Sequence, residues 1–308
     1  MDKRQPRTLD AIAAHRDRPD AIVEAGEVLD LRFPSGSGGT LSLRAGKLLH
    51  LLIHEAGVRV ADAVTHKVPL AALDEGFHIG AEEVEGLLDE LHTTVLKLRL
   101  TDAQGRRFVK SGPFLADAER ETEPDSQAEI RYELSPTLRK AIANSTHWGI
   151  LSRQAVMAFE SRYSLRLYTA LSLRAGLRKA AEDFPMDDLR ELLGVPAGKL
   201  ARWQDFKRFV LMRAVDEVNH LSGLRVRYEP IQRGRKIVGV RLGWDMKRGA
   251  EAMEALQELA RPRIGRKARR EGAVEEVVAP ESRERELLAE ALFEAPCPSH
   301  TLTAPLPG

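Results

Sequence analysis

The sequence predicts an α+β chain built twice on one plan, three helices and then a hairpin, followed by a tail. Three observations predict it. The first is the stretch Trp203–Trp244, where the apolar period switches from helix to strand. Phe206, Phe209, Val210, Ala214, Val215, Val218 and Leu221 recur at i, i+3 and i+4, a single apolar stripe. Ser222-Gly223 ends that helix. Then Leu224, Val226 and Tyr228 alternate with Arg225 and Arg227, and Val238, Val240, Leu242 and Trp244 alternate with Gly239, Arg241 and Gly243, around a turn Arg233-Gly234-Arg235-Lys236.

The second observation is that this order of elements occurs earlier in the chain as well. The third is the placement of charge. Residues 1–144 carry a net −5, residues 145–248 a net +9 and residues 249–308 a net −3, which together give the +1 of the whole. A cation-faced helix followed by a hairpin with a cationic tip is the winged-helix pattern. Such a helix fits a major groove about 12 Å wide, and the wing meets phosphate. The fold class read from the sequence is therefore two tandem winged-helix domains with a disordered C-terminal tail. The units expected are a flexible segment 1–27, a first winged helix 28–144, a second 145–248, and a helical then disordered tail 249–308.

The elements follow in order. Val28 to Phe33 reads as a strand, and Pro34–Gly39 as a Ser/Gly loop. Thr40 reads as the N-cap of the helix LSLRAGKLLHLLIHEAG, which Gly57 closes. Val68–Leu73 suggests a short second helix, and Ala81–Leu91 a third, with Val84, Leu87, Leu88 and Leu91 as its stripe. Thr94–Leu100, Arg106–Leu115 and Ala128–Leu134 read as strands. The second cycle begins after Trp148. SRYSLRLYTALSLRAG is its first helix, with Tyr163, Leu167 and Leu171 on the apolar face, FPMDDLRELLGV its second, entered through Pro185, and Lys199–Leu221 its third. Beyond Lys247, Ala250–Ala260 reads as a helix. The basic run Arg261–Arg270 fits a phosphate contact or a solvated linker equally well. Leu287, Leu288, Ala291 and Leu292 form a small stripe in an otherwise disordered Glu/Ala/Pro-rich end.

Several function classes are set aside. Cys297 is the only cysteine, so neither an intrachain disulfide nor a cysteine-rich zinc site is expected. No apolar run approaches the roughly 20 residues that span a bilayer. The N-terminal twenty residues lack the apolar core of a secretory signal. A cytoplasmic protein with no membrane association is the expectation. His50 and His54 have an i, i+4 spacing that can hold zinc, but with no third ligand at a characteristic spacing they read as helix-surface or core residues, and no metal site is assigned. Gly194–Leu200 is one residue short of a phosphate loop and has Leu200 where Ser or Thr would hold magnesium. A nicking enzyme would need paired metal-binding histidines and a tyrosine nucleophile. The chain has no His-x-His, and Tyr132, Tyr163, Tyr168 and Tyr228 fall at core-like positions. No catalytic residue, no enzyme activity and no cofactor is expected.

The candidate DNA-binding residues are Arg202, Lys207, Arg208 and Arg213 on the long helix, Arg225 and Arg227 on the strand, and Arg233, Arg235 and Lys236 at the wing tip. Trp203 reads as packing on Phe206 rather than stacking on a base. The third helix of the first half carries Glu82, Glu83, Glu85, Asp89 and Glu90, a face that repels phosphate. Arg106, Arg107 and Lys110 can still meet the backbone.

At this point the sequence resembles the iteron-plasmid replication initiators, the family that starts theta-type replication. The similarity is carried by SRYSLRLYTAL, LRELLGV, KLARWQDFKRFVLMRAVDEVN and VRYEPIQRGRKIVGVRLGW in order, and more loosely by LSLRAGKLLHLLIHEA, LLDELHTTVLKLR and YELSPTLRKAI. Together these blocks cover residues 28–248. The resemblance implies two winged helices, binding to directly repeated sites in double-stranded origin DNA, and repression of the protein's own promoter as a homodimer. It also implies recruitment of the host initiator and the replicative helicase. The rival reading is a winged-helix transcriptional repressor with no initiator role, because fold does not fix function.

Overall fold

The computed structural model describes residues 7–33, 39–70, 72, 81–101, 104–121, 128–176 and 179–272. The loop from Pro34 to Gly38, residues 71 and 73 of the expected second helix, and the whole of 273–308 with its Leu287–Leu292 stripe and Cys297 lie outside the described residues.

The chain packs around two hydrophobic cores. The first gathers α1 (Thr8–His15), β1 (Ala21–Ala25), α2 (Gly26–Leu29), α3 (Leu43–Ala56), β2 (His66–Pro69), α4 (Ala81–Thr93), β3 (Leu96–Thr101), β4 (Arg107–Gly112), β5 (Leu115–Arg120), β6 (Glu129–Leu134) and α5 (Pro136–Asn144). The second gathers β7 (Trp148–Ser152), α6 (Arg153–Ala158), α7 (Arg162–Ala175), β8 (Ala181–Pro185) and α8 (Met186–Leu193). It continues with a long helix α9, running through Trp203–Phe206, Lys207–Leu211 and Met212–Leu221, and with β9 (Leu224–Arg233) and β10 (Lys236–Met246). Helices α10 (Ala250–Ala260) and α11 (Arg266–Arg270) follow. The sheets run β2-β6-β5, β8-β10-β9, β3-β4 and β1-β7. Among the described residues no helix is long and apolar enough to cross a membrane.

The N-terminal segment, expected to be flexible or to hold a short helix, carries helix α1 and then a strand. Its Ala21–Ala25 is a strand buried along its whole length, antiparallel to β7 with Ala21 opposite Ser152 and Ala25 opposite Trp148. Because strand side chains alternate, Val23 and Ala25 enter the first core while Ile22 enters the second. The charged flanks at Arg16–Arg18 and Asp20 hide a five-residue strand in the sequence. Of residues 28–33, read as a strand, Val28 and Leu29 end the short helix α2 and 30–33 have no regular structure. The expected boundary at Asn144 is thus crossed by a strand pair.

Side chains close the same seam. Lys47 Nζ donates to Met157 O at 2.6 Å, Arg162 to Thr40 Oγ1 at 3.2 Å and Arg32 to Asp188 O at 2.9 Å. Arg174 reaches Asp30 at 2.9 Å and Glu182 at 3.1 Å. Arg166 donates to Leu31 O and lies over the Phe33 ring at 4.4 Å.

Other departures have local causes. The helix expected over Val68–Leu73 is replaced at its start by the end of strand β2, since Val68 has a core place opposite Ile130, while Leu70 and Ala72 are helical. LADAER forms β5 without an apolar alternation, because most of it faces outward. The N-cap of α3 is Ser42 rather than Thr40; its hydroxyl accepts from Ala45 N at 3.1 Å. His50, one of the two histidines at zinc-like spacing, is buried with Nδ1 2.8 and 2.9 Å from the two carboxylate oxygens of Glu24. Tying β1 to α3 is a structural role.

Candidate nucleic-acid interface

Helix α9 is fixed from its inner side. Arg190, on α8, donates to the carbonyls of Lys199, Leu200 and Ala201 at 3.1, 2.7 and 3.4 Å, and its guanidinium lies 4.8 Å from the Phe206 ring. This holds the turn before the helix, where Leu200 takes a φ of 51°. The helix therefore begins at Trp203 instead of Lys199, with Arg202 at its N-cap. Trp203 packs on Phe206 with ring centroids 6.2 Å apart. Glu217 is buried and accepts from Glu160 N at 2.5 Å and from Ser164 Oγ. Burial pushes its carboxyl up, against those hydrogen bonds. Asn219 clamps the helix to the wing, donating to Val226 O at 3.0 Å and accepting from Val226 N at 2.6 Å.

The middle of α9, Lys207–Leu211, is a π turn, an i→i+5 widening that is common at functional sites. It shifts the stripe. Phe206, Val210, Leu211, Ala214, Val215, Val218 and Leu221 are buried. Phe209, expected on that stripe, is 39% exposed instead, and so is Met212. The outer face thus carries Arg202, Arg208, Phe209, Met212 and Arg213, with Lys207 half-buried at its edge. Arg208 and Arg213 flank the Phe209 ring at 5.3 and 5.6 Å. Among the described residues none of Arg202, Lys207, Arg208 and Arg213 has a carboxylate partner.

The wing is β9–β10, with Arg233 paired to Lys236 across a turn of Gly234 and Arg235. Gly234 takes a φ of 61°, where glycine is favoured. The strands slip at Val238, since Ile237 faces Gln232 and Gly239 faces Ile231. Val238, expected to point inward, is the bulged residue and is 39% exposed. Gly239 is dictated by β8, because a Cβ there would lie 2.5 Å from Phe184 O. The sequence pattern does not mark β8, whose AEDFP carries one buried residue.

The nine candidate cations divide in two. Arg233, Arg235 and Lys236 are exposed at the tip and, among the described residues, have no carboxylate partner, like the cations of α9. Arg225 and Arg227 do have one: Arg225 pairs with Glu251 on α10, and Arg227 with Asp245 at 2.6 Å. The basic run Arg261–Arg270 is likewise folded back. Buried Glu258 meets Arg266, Arg269, Arg261 and His220 at 3.4, 2.7, 3.5 and 3.4 Å, and Arg263 meets Glu160 at 2.9 Å.

The equivalent helix of the first unit, α4, presents three acids that already have partners. Glu83 pairs with Arg44, Glu85 with Arg120 at 2.6 Å, and Glu90 accepts from the Ser42 hydroxyl at 2.7 Å. On its β3–β4 hairpin, Phe108 and Val109 are exposed, with the Arg106 guanidinium 5.7 Å from the Phe108 ring.

Residues 185–244, from the start of α8 to the end of the wing, match the family model described as "Initiator Rep protein, WH2". The segment that carries the long helix and the wing is therefore similar to the WH2 domain of initiator Rep proteins. Among solved structures the chain is similar to the Pi initiator protein in complex with iteron DNA, at 17% identity and a TM-score of 0.51, covering 75% of this chain and 98% of that one. At that identity the likeness establishes the fold: tandem winged helices. The WH1 domain of MSBI1.176, a replication protein isolated from a multiple sclerosis patient, aligns at 17% identity over 33% of this chain and 79% of that one, with a TM-score of 0.26. No curated protein matches the chain.

Proposed function

We propose that the chain is a plasmid replication initiator that binds repeated sites in double-stranded origin DNA. The observation that carries this is the cationic face of α9 beside a cationic wing tip, both without a carboxylate partner among the described residues, inside a stretch that matches an initiator domain. Lys207, Arg208 and Arg213 enter the major groove and read bases. Arg202, Arg233, Arg235 and Lys236 hold phosphate and position the helix. Arg225 and Arg227, engaged by carboxylates, contribute less.

The first unit supplies the homodimer contact, and Arg106, Arg107 and Lys110 supply an auxiliary backbone contact. The dimer represses the protein's own promoter. Origin opening draws its free energy from bending several bound sites together with the host initiator, after which the replicative helicase is recruited. The protein acts in the cytoplasm by binding, with no covalent step on DNA.

The test is whether the gene and its adjoining DNA sustain a plasmid that cannot otherwise replicate, with footprints over direct repeats. Protection of a single inverted repeat without maintenance would make the protein a repressor instead. Site-specific nicking of supercoiled origin DNA, lost on changing one tyrosine, would make it an enzyme.

A further inference from the structure

The outward face of α9 is not purely cationic. Phe209 and Met212 lie about one turn apart on it, each 39% exposed. Single apolar residues on a surface are ordinary. These two are neighbours, and the Phe209 ring sits between two arginines, 5.3 Å from the Arg208 guanidinium and 5.6 Å from that of Arg213. The exposure is built into the helix. In a regular α-helix Phe209, three residues beyond the buried Phe206, would share its face. The π turn at Lys207–Leu211 sends Val210 and Leu211 into the core instead, and Phe209 outward.

An aromatic ring has no use against phosphate, which the wing already addresses. In a major groove it has one natural counterpart, the 5-methyl group of thymine, while arginine pairs with the O6 and N7 of guanine. We infer that Phe209, with Met212 beside it, reads thymine methyl groups, and that Arg208 and Arg213 read bases on either side. This rests on α9 being the groove helix. It adds a specificity determinant that is apolar and carries no charge to be screened.

The experiment uses the full chain and duplexes it selects from a randomised pool. Each thymine of the selected site is replaced in turn by deoxyuridine, which lacks only the methyl group. The wild-type chain should lose about fourfold in affinity for each buried methyl removed, at one or two positions. Phe209→Ala should bind the thymine duplex more weakly and no longer distinguish thymine from uracil there. Phe209→Leu, which keeps an apolar group, should retain the preference, and thermal melts confirm that both variants fold. A wild type that binds every uracil duplex as tightly as its thymine parent overturns the inference, as does a Phe209→Ala chain that keeps the full thymine preference. A chain that enriches no sequence from the pool sinks the groove-helix reading, and the inference with it. A chain that enriches a sequence but ignores the methyl sinks the inference alone.

Discussion

Helices α4 and α9 stand at the same place in the two winged helices and do opposite things with their charges. In α4 three of the acids are consumed internally: Glu90 holds the start of α3 through Ser42, Glu83 holds Arg44, and Glu85 holds Arg120 on β5. In α9 the internal fastening is done by Glu217, Asn219 and the Arg190 brace, all behind the helix. Among the described residues its outer cations have no carboxylate partner. Carboxylates repel phosphate, so α4 offers DNA no contact, whereas cations without a carboxylate partner can meet phosphate or base edges without first breaking an ion pair. The same fold thus yields one anchored helix and one free one.

The largest effect should follow from removing the free cations. Each bidentate arginine–base contact discriminates by roughly 1–3 kcal/mol. Arg208→Ala with Arg213→Ala should therefore weaken binding to a selected site on the order of a hundredfold or more, and binding to scrambled duplex far less. The matching change on α4, Glu83→Ala with Glu85→Ala, should leave the specific-to-scrambled ratio where it was. Quantitative titrations of both double variants make the comparison. An α4 variant that loses specificity as α9 does would break it.

A second, smaller effect concerns the seam between the units. Lys47 is buried against Met157 O, and burial lowers its ammonium to about 8 from the usual 10.5. Between those values the unfolded chain holds the proton and the folded chain does not, so stability should rise with pH across that window and be level below it. The size is on the order of 2–3 kcal/mol. Lys47→Met should remove this part of the rise. Urea unfolding at pH 7.5 and pH 10, for both chains, measures it. An identical rise in the variant would mean that Lys47 is solvated, and that the seam opens in solution.

The winged-helix plan was legible because it rests on local period: the stripes of α3, α7 and α9, and the alternation of β9 and β10, lie within single segments. What was not legible depends on partners distant in sequence. Strand β1 is a strand because β7, more than a hundred residues on, lies beside it. Ser42 displaces Thr40 as cap because Glu90 reaches its hydroxyl. In the site, the sequence placed the cations of α9 and the wing tip together, since helix face and hairpin turn are both periodic features. It could not show that Arg225 and Arg227 meet Glu251 and Asp245, nor that a π turn would expel Phe209. A faint signal for the last existed. Phe206, Phe209 and Val210 followed by Leu211 and Met212 give more apolar positions than one α-helical stripe can bury.

The smallest effect is the sharpest on the wing. Arg227 and Arg235 lie on the same hairpin and differ chiefly in partners: Arg227 has Asp245 at 2.6 Å, while Arg235, at the tip, has no carboxylate among the described residues. A cation that meets phosphate displaces condensed counterions, and its loss should lower the slope of log affinity against log salt by about 0.9. Arg235→Ala should do this and weaken selected and scrambled duplexes alike, because phosphate carries no sequence. Arg227 would have to leave its carboxylate first, and Asp245 would then face the DNA. Arg227→Ala should therefore change the slope by well under half as much. The complementary variant settles the cause. Asp245→Asn keeps the shape but frees the arginine, so it should raise affinity and steepen the salt dependence. Equal slopes for Arg227→Ala and Arg235→Ala would show that the ion pair opens on DNA, and that the division of the nine cations into free and engaged does not govern binding.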